Sequence, residues 1–452
     1  KRSMARNTSV EADHNAPPVT RILAEFVVNH PSKGWSPETD REAHRTFANW
    51  VGCATGAARH ETVDAAVAGV LELSPAPQAS LFGRDEKVDI ANAALINGIS
   101  SHTYDFDDTH LKTIIHPAGP VASSAYALAE FKGLSGRELI DALVIGIEVS
   151  CRVGNAIYPD HYDRGWHITG STGMLGSAAA CARVLKLNAE QTQMALGIAA
   201  SQPVGLREQF GTMTKPFHPG AAAKAGLMSA LFAKHGFTAS PRALEAPRGL
   251  MQVFSQKVDW KEITEHLGET WEIALNTYKP FACGIVIHPS IDGCVQFKAK
   301  GIQPEQVRSI TVRVHPLVLE LTGKKTPKTG LEGKFSVYHS CAAGLIYGQA
   351  GEHEYTDRVV NDLNVISLRE KVQAIVDESM PEDAADLELV TVDGKRHQIK
   401  VDHAVGSLEK PMTELQLKAK FIGQAQATIG RQRSEALWSW ANEISSKSIT
   451  PF

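Results

Sequence analysis

Between residues 88 and 236 the sequence is a succession of apolar stretches built from small side chains. VDIANAALINGISS at 88–101, and the stretches at 121–132, 136–157, 174–187 and 189–201, all have helical length, with Ala, Gly and Ser recurring around them. A helix that is apolar on most sides has no solvent face and belongs inside a layer of other helices. Small residues at this frequency let helix axes approach closely. This half of the chain therefore predicts a mainly α fold. Helix starts are legible too. Ser36-Pro37-Glu38 reads as an N-cap with proline in the first turn, and Ser135-Gly136-Arg137-Glu138 as a capping box.

The character changes after Trp271. VRSITVRVHPLV at 307–318 alternates as a strand does. LELVTVDGKRHQIKV at 387–401 reads as a hairpin, with Asp393-Gly394 as a type I′ turn. An apolar helix is expected at 335–347 and an amphipathic one at 357–378; helices return from 413 to 444. The expected architecture is a flexible tail at 1–19, a large all-helical domain built from both chain ends (20–272 plus 405–452), and an inserted smaller α+β lid domain at 273–404. A site is expected where the two domains meet.

Composition narrows the function. A formal net charge of -4 and 7% aromatics argue against nucleic acid or an anionic membrane as partner. No apolar run is long enough to span a bilayer, and the polar N-terminus lacks an apolar signal region. The six cysteines are scattered without a CxxC pair, which argues against a zinc ribbon and fits a reducing, cytoplasmic location. Walker A and GxGxxG motifs are absent, so no nucleotide cofactor is expected.

Chemistry concentrates in four polar islands. HTYDFDDTHLKTIIHP at 102–117 crowds acids and histidines against an apolar helix. The others are Arg164–His167, Arg207–His218 and Tyr278–His288. Their shared inventory is His, Lys and Arg. Cations converging from separate segments suit a substrate bearing several carboxylates. Partly buried His and Lys are natural proton carriers near neutral pH. The combination points to proton abstraction next to a carboxylate, with cations stabilising an enolate-like intermediate. A metal site is the rival use of the first island. There is no HExxH, no EF-hand spacing and no one-turn His pair, so no metal is expected.

Five stretches together carry a family resemblance: DFDDTH with HPAG, GWH followed by STGMLGSAAACARVLKL, MTKPFHPGAAAKAG, YKPFACGIVIHPSIDG and the late KPMTE. They resemble the MmgE/PrpD family over nearly the whole chain. That resemblance implies a helical domain with an α+β lid, a homodimer and metal-free catalysis. Its members include 2-methylcitrate dehydratases, cis-aconitate decarboxylases and iminodisuccinate epimerases. It also implies site roles. His116, His167, Lys215 and Lys279 match the catalytic positions, and Asp105 and Thr109 match substrate contacts. Arg207 is a further substrate-binding candidate, able to hold an extra carboxylate by paired hydrogen bonds. His218 is another, or a brace for the following helix. Two departures stand out. Leu319 falls where a decarboxylase carries tyrosine, and Arg207-Glu208 fall where it carries small neutral residues. They favour an epimerase acting on a small polycarboxylate, with a lyase as alternative and a non-catalytic carboxylate-binding protein as a third.

Overall fold

The structure, a computed structural model, describes residues 15–450. The expected tail therefore lies largely outside the described residues. Among those described, the fold is mainly α with small sheets.

The small-residue helices form the first core. Helix Ile90–Thr103 starts at Asp89, whose carboxylate caps Asn92 N, and all but one of its residues are buried. It packs between helices Pro37–Gly56, Ala118–Lys132 and Thr214–Lys234. The contact with the last of these requires glycine, since a Cβ on Gly98 would stand 2.5 Å from Gly220 Cα. Helix Gly136–Ile157 carries the expected capping box between Ser135 and Glu138. Helix Ile168–Val184 lies along it, and a Cβ on Gly146 would meet the Gly176 carbonyl at 2.6 Å. Phe421, Leu437, Trp440 and Ile444, from the end of the chain, join this same core.

A second core forms around Ile287, Ile291, Phe297, Val312 and Leu389. Its sheet has four strands. Val307–Val314 is parallel to Val372–Val376 on one side and antiparallel to Ala385–Thr391 on the other, and Arg396–Val401 forms the edge. Helices His288–Ala299 and Val337–Tyr347 pack on it and on each other.

Several local expectations are corrected. Residues 357–378 are not one helix but two short ones, Asp357–Val360 and Leu363–Arg369, then the strand Val372–Val376. The β-rich VQAIV gains a full ladder beside Val307–Val314, which outweighs a weak helical period. The strand expected to 318 ends at Val314, because Pro316 has no N–H for the ladder and instead opens helix Pro316–Thr322. In the hairpin only Gly394 has positive φ (83°), so the turn is not type I′, which needs two such residues. Helix Ile168–Val184 begins directly after His167, at the end of the second polar island.

Candidate active site

The site grows from the C-terminal end of helix Ile90–Thr103. Asp105 follows it in the left-handed region, with φ of 50°. Its buried carboxylate is held by two ammonium groups. Lys279 Nζ donates to Oδ1 at 2.7 Å and Lys215 Nζ to Oδ2 at 3.1 Å. Lys215 sits in the first turn of helix Thr214–Lys234. Lys279 arrives through the strand Asn276–Thr277, which pairs antiparallel with Thr109–His110. Burial pushes the Asp105 carboxyl up, but Lys215 and Lys279 outweigh it and hold it well below the usual range. Burial lowers the Lys215 ammonium, and its neighbour Lys279 adds to that. For Lys279, burial is outweighed by Asp105 and Asp107, and the net shift is upward.

Three imidazoles crowd beside this ion cluster. His116 Nδ1 donates to the Asp108 carbonyl at 2.7 Å, which leaves Nε2 with its lone pair. Thr109 Oγ1 lies 3.2 Å from the same Nδ1, and Thr169 Oγ1 accepts from the His116 backbone N–H at 2.9 Å. Burial, then Lys279, push His116 down to about 3, so the ring is neutral. His167 Nδ1 meets His218 Nδ1 at 2.8 Å, one donating and the other accepting. Burial lowers both, His167 well below its usual value with help from Lys215, and His218 to about 4. His102 Nδ1 stands 2.9 Å from both oxygens of Asp107. Its ring centre is 4.9 Å from that of His116 and 5.8 Å from that of His167. Asp108 anchors the following helix by accepting from Ala118 N at 3.1 Å and also accepts from Asn276 Nδ2 at 2.8 Å. Burial and the nearby Asp107 push its carboxyl up to about 7.

Asp105, His116, His167, Lys215 and Lys279 line one cavity of about 40 Å³. Its remaining wall is largely apolar and includes Ile285, Val286 and Phe335 from the second core's segment. Five expected site residues are thus brought together at one surface. Thr109 and His218 stand behind His116 and His167 as their partners. Arg207 does not join them. It stacks on Tyr162 at 4.4 Å, donates to the Tyr162 carbonyl at 3.0 Å and pairs with Glu320 at 2.7 Å. His102 was visible in the sequence as part of the first island, but nothing there marked its dyad with Asp107. Phe210 and Phe335 had no sequence signal; their rings flank the Lys215 ammonium at 4.8 and 4.9 Å.

Among the described residues two buried groups have ligand atoms within 4.8 Å of one another and could hold a metal ion: His102, His116 and His167, and His102, Asp105, Asp107 and His116. The ammonium groups of Lys215 and Lys279 oppose a dication there, whereas the Asp105 and Asp107 carboxylates favour one.

Two family models match this chain. The MmgE/PrpD N-terminal domain covers residues 21–263 and the MmgE/PrpD C-terminal domain covers 281–443. The chain belongs to the MmgE/PrpD family. A cis-aconitate decarboxylase of Aspergillus terreus is 26% identical over 365 residues, covering 75% of this chain and 74% of that protein. The cis-aconitate decarboxylase of Homo sapiens is 27% identical, with 76% and 74% covered. A 2-methylcitrate dehydratase of Escherichia coli is 23% identical over 278 residues, 57% of each chain. These MmgE/PrpD relatives are named as decarboxylases and dehydratases, which are lyases. In this member, Asp105, His116, His167 and Lys215 lie in the first matched segment, and Lys279 in the link between the two.

Proposed function

We propose that this protein is a lyase that transfers a proton at the carbon next to a carboxylate of a small organic acid. The observation that carries this reading is the neutral His116, with Nδ1–H spent on the Asp108 carbonyl and Nε2 left as a base beside two buried ammonium groups. A substrate carboxylate lying against Lys215 and Lys279 would share their charge with Asp105. When His116 Nε2 takes the α-proton, electrons move into that carboxylate, and the cations stabilise the charge that develops. His167, when it accepts from His218 at Nδ1, carries a proton on Nε2 that can pass to a departing hydroxyl. The net result is alkene and water, and the site is regenerated once the proton taken by His116 passes to His167. Lyase chemistry comes first because the matched relatives are named for it.

Epimerisation is the second reading. It is favoured by two separately anchored imidazoles, His116 and His167, whose ring centres stand 6.4 Å apart. Return of the proton from the other one inverts the carbon. A small polycarboxylate as substrate, a homodimer and metal-free turnover belong to the same proposal. Among the described residues no helix is long and apolar enough to cross a membrane.

The deciding experiment is incubation in deuterated water with cis-aconitate, citrate, 2-methylcitrate and an aspartate-derived imino acid. Formation of alkene or CO2 supports the lyase, and deuterium at an inverted centre selects the epimerase. No deuterium in any acid, with no product, would refute proton transfer altogether.

A further inference from the structure

The carbonyls of Tyr104, Asp105 and Phe106 follow directly on helix Ile90–Thr103, where helix carbonyls run out of intrahelical partners. Each accepts from the ammonium of a different lysine. Lys334 reaches the Tyr104 carbonyl, Lys279 the Asp105 carbonyl at 3.1 Å, and Lys420 the Phe106 carbonyl at 2.6 Å. Each lysine has a second anchor. Lys334 also donates to the Ala282 carbonyl, Lys279 to the Asp105 carboxylate, and Lys420 to Asn49 Oδ1 at 2.8 Å. Lys420 further lies over the Phe106 ring at 4.2 Å, and Lys334 over the Tyr355 ring at 4.8 Å.

Of these three lysines, Lys279 faces the cavity, whereas Lys334 and Lys420 do not line it. Burying an ammonium is costly without strong partners. The cost is visible here, since burial pulls Lys334 down to about 7 and Lys420 to about 8. Asp105 between them holds a backbone conformation usually left to glycine at a helix end, worth roughly 1–2 kcal/mol against an L-residue. Nothing about packing alone requires a carboxylate in that pose. Cations at a helix C-terminus, however, are favoured by the helix dipole and by the unpaired carbonyls.

We propose that Lys334 and Lys420 are positioning residues, which clamp the carbonyls on either side of Asp105 and so fix its carboxylate between Lys215 and Lys279. The clamp reaches His116 as well, because the same loop ends in the Asp108 carbonyl that sets the His116 tautomer. Lys334 and its anchor Ala282 belong to the segment that builds the second core, while Tyr104 ends a helix of the first. Seating that segment and aiming the carboxylate are therefore one event. Lys420 performs the same service from helix Glu414–Ile429.

The test uses the full-length chain carrying Lys334→Met or Lys420→Met, each close to lysine in length but without the ammonium. Amide hydrogen exchange is read over residues 104–110. Exchange there is expected at least about tenfold faster in either variant, with residues 214–234 unchanged. Lys334→Arg, which keeps a cationic donor, should retain most of the protection. A kinetic arm rests on the proton-transfer reading and uses any acid that exchanges its α-hydrogen. There kcat should fall about 10- to 100-fold and KM move less than about threefold. Adding Lys334→Met to Asp105→Ala should change kcat less than about twofold, because the lysine acts through that carboxylate. Wild-type exchange at 104–110 in both variants overturns the proposal. So does loss of protection spread over the whole chain, or full additivity with Asp105→Ala. Should no acid exchange its α-hydrogen, the proton-transfer reading fails, and the amide-exchange arm still decides the clamp.

Discussion

The island at 102–117 and the loop at 203–212 look alike in the sequence, each mixing charges with turn residues. The fold treats them in opposite ways. In the first, His102, Asp105, Asp107, Asp108 and His116 are all buried, and every one has a charged or backbone partner. In the second, the Arg207 side chain is itself only 13% exposed, lying on Tyr162, but the carboxylate it pairs with, Glu320, is 58% exposed. Polar density therefore did not distinguish a fully buried ion cluster from a loop paired to an exposed partner. What distinguishes them is whether burial raises the energetic weight of each charge. A buried pair must be satisfied or it destabilises strongly, whereas a rim pair is worth about 0–1 kcal/mol.

The contrast can be broken by substitution, and the largest effect is expected in the buried island. His116→Ala should reduce kcat by about 10²- to 10⁴-fold with the protein still folded, as loss of a general base does. Near-normal turnover would remove His116 from the mechanism. Asp105→Ala should lower stability by about 3–5 kcal/mol, since it leaves the Lys215 and Lys279 ammonium groups buried without their shared counter-charge. Denaturant unfolding reads this directly, and an unchanged midpoint would contradict the ion cluster.

A subtler expectation concerns pH. A base works when unprotonated. With His116 pushed down to about 3, kcat/KM should stay level as pH falls through 6.5 and drop only in strong acid. Lys279 is the second cause of that depression, after burial. Lys279→Met should therefore move the His116 titration upward, towards neutrality, in an NMR titration; a downward move would reverse the assignment. Smallest of all should be Arg207→Ala, which removes an ion pair to an exposed carboxylate. It should change stability by less than about 1 kcal/mol and kcat/KM by less than about fivefold. A hundredfold loss would bring Arg207 back as a substrate ligand.

Much of the site was legible before folding because its residue types are costly in any apolar context. Asp105, His116, His167, Lys215 and Lys279 stood out beside Ala- and Gly-rich helices, and the fold gathers all five at one cavity. His110 was less transparent. It is buried, with Nε2 2.7 Å from Glu272 and Nδ1 2.7 Å from Thr113. Glu272 is distant in sequence, so no local pattern announces that pair. Lys334 and Lys420 were invisible as parts of the site for the same reason, since each acts on a carbonyl contributed by another segment.

The sequence by itself determined the mainly α class, the helix starts at Ser36 and Ser135, and the chemistry on offer. Periodicity, caps and residue type are local properties, and each is read within a few turns of chain. The tertiary structure alone decided that VQAIV is a strand, that Arg207 pairs with Glu320, and that His102 stands behind His116 on Asp107. It also decided that four lysines converge on Tyr104, Asp105 and Phe106. Those outcomes depend on which distant groups share a desolvated space, and burial sets the strength of every charge placed there.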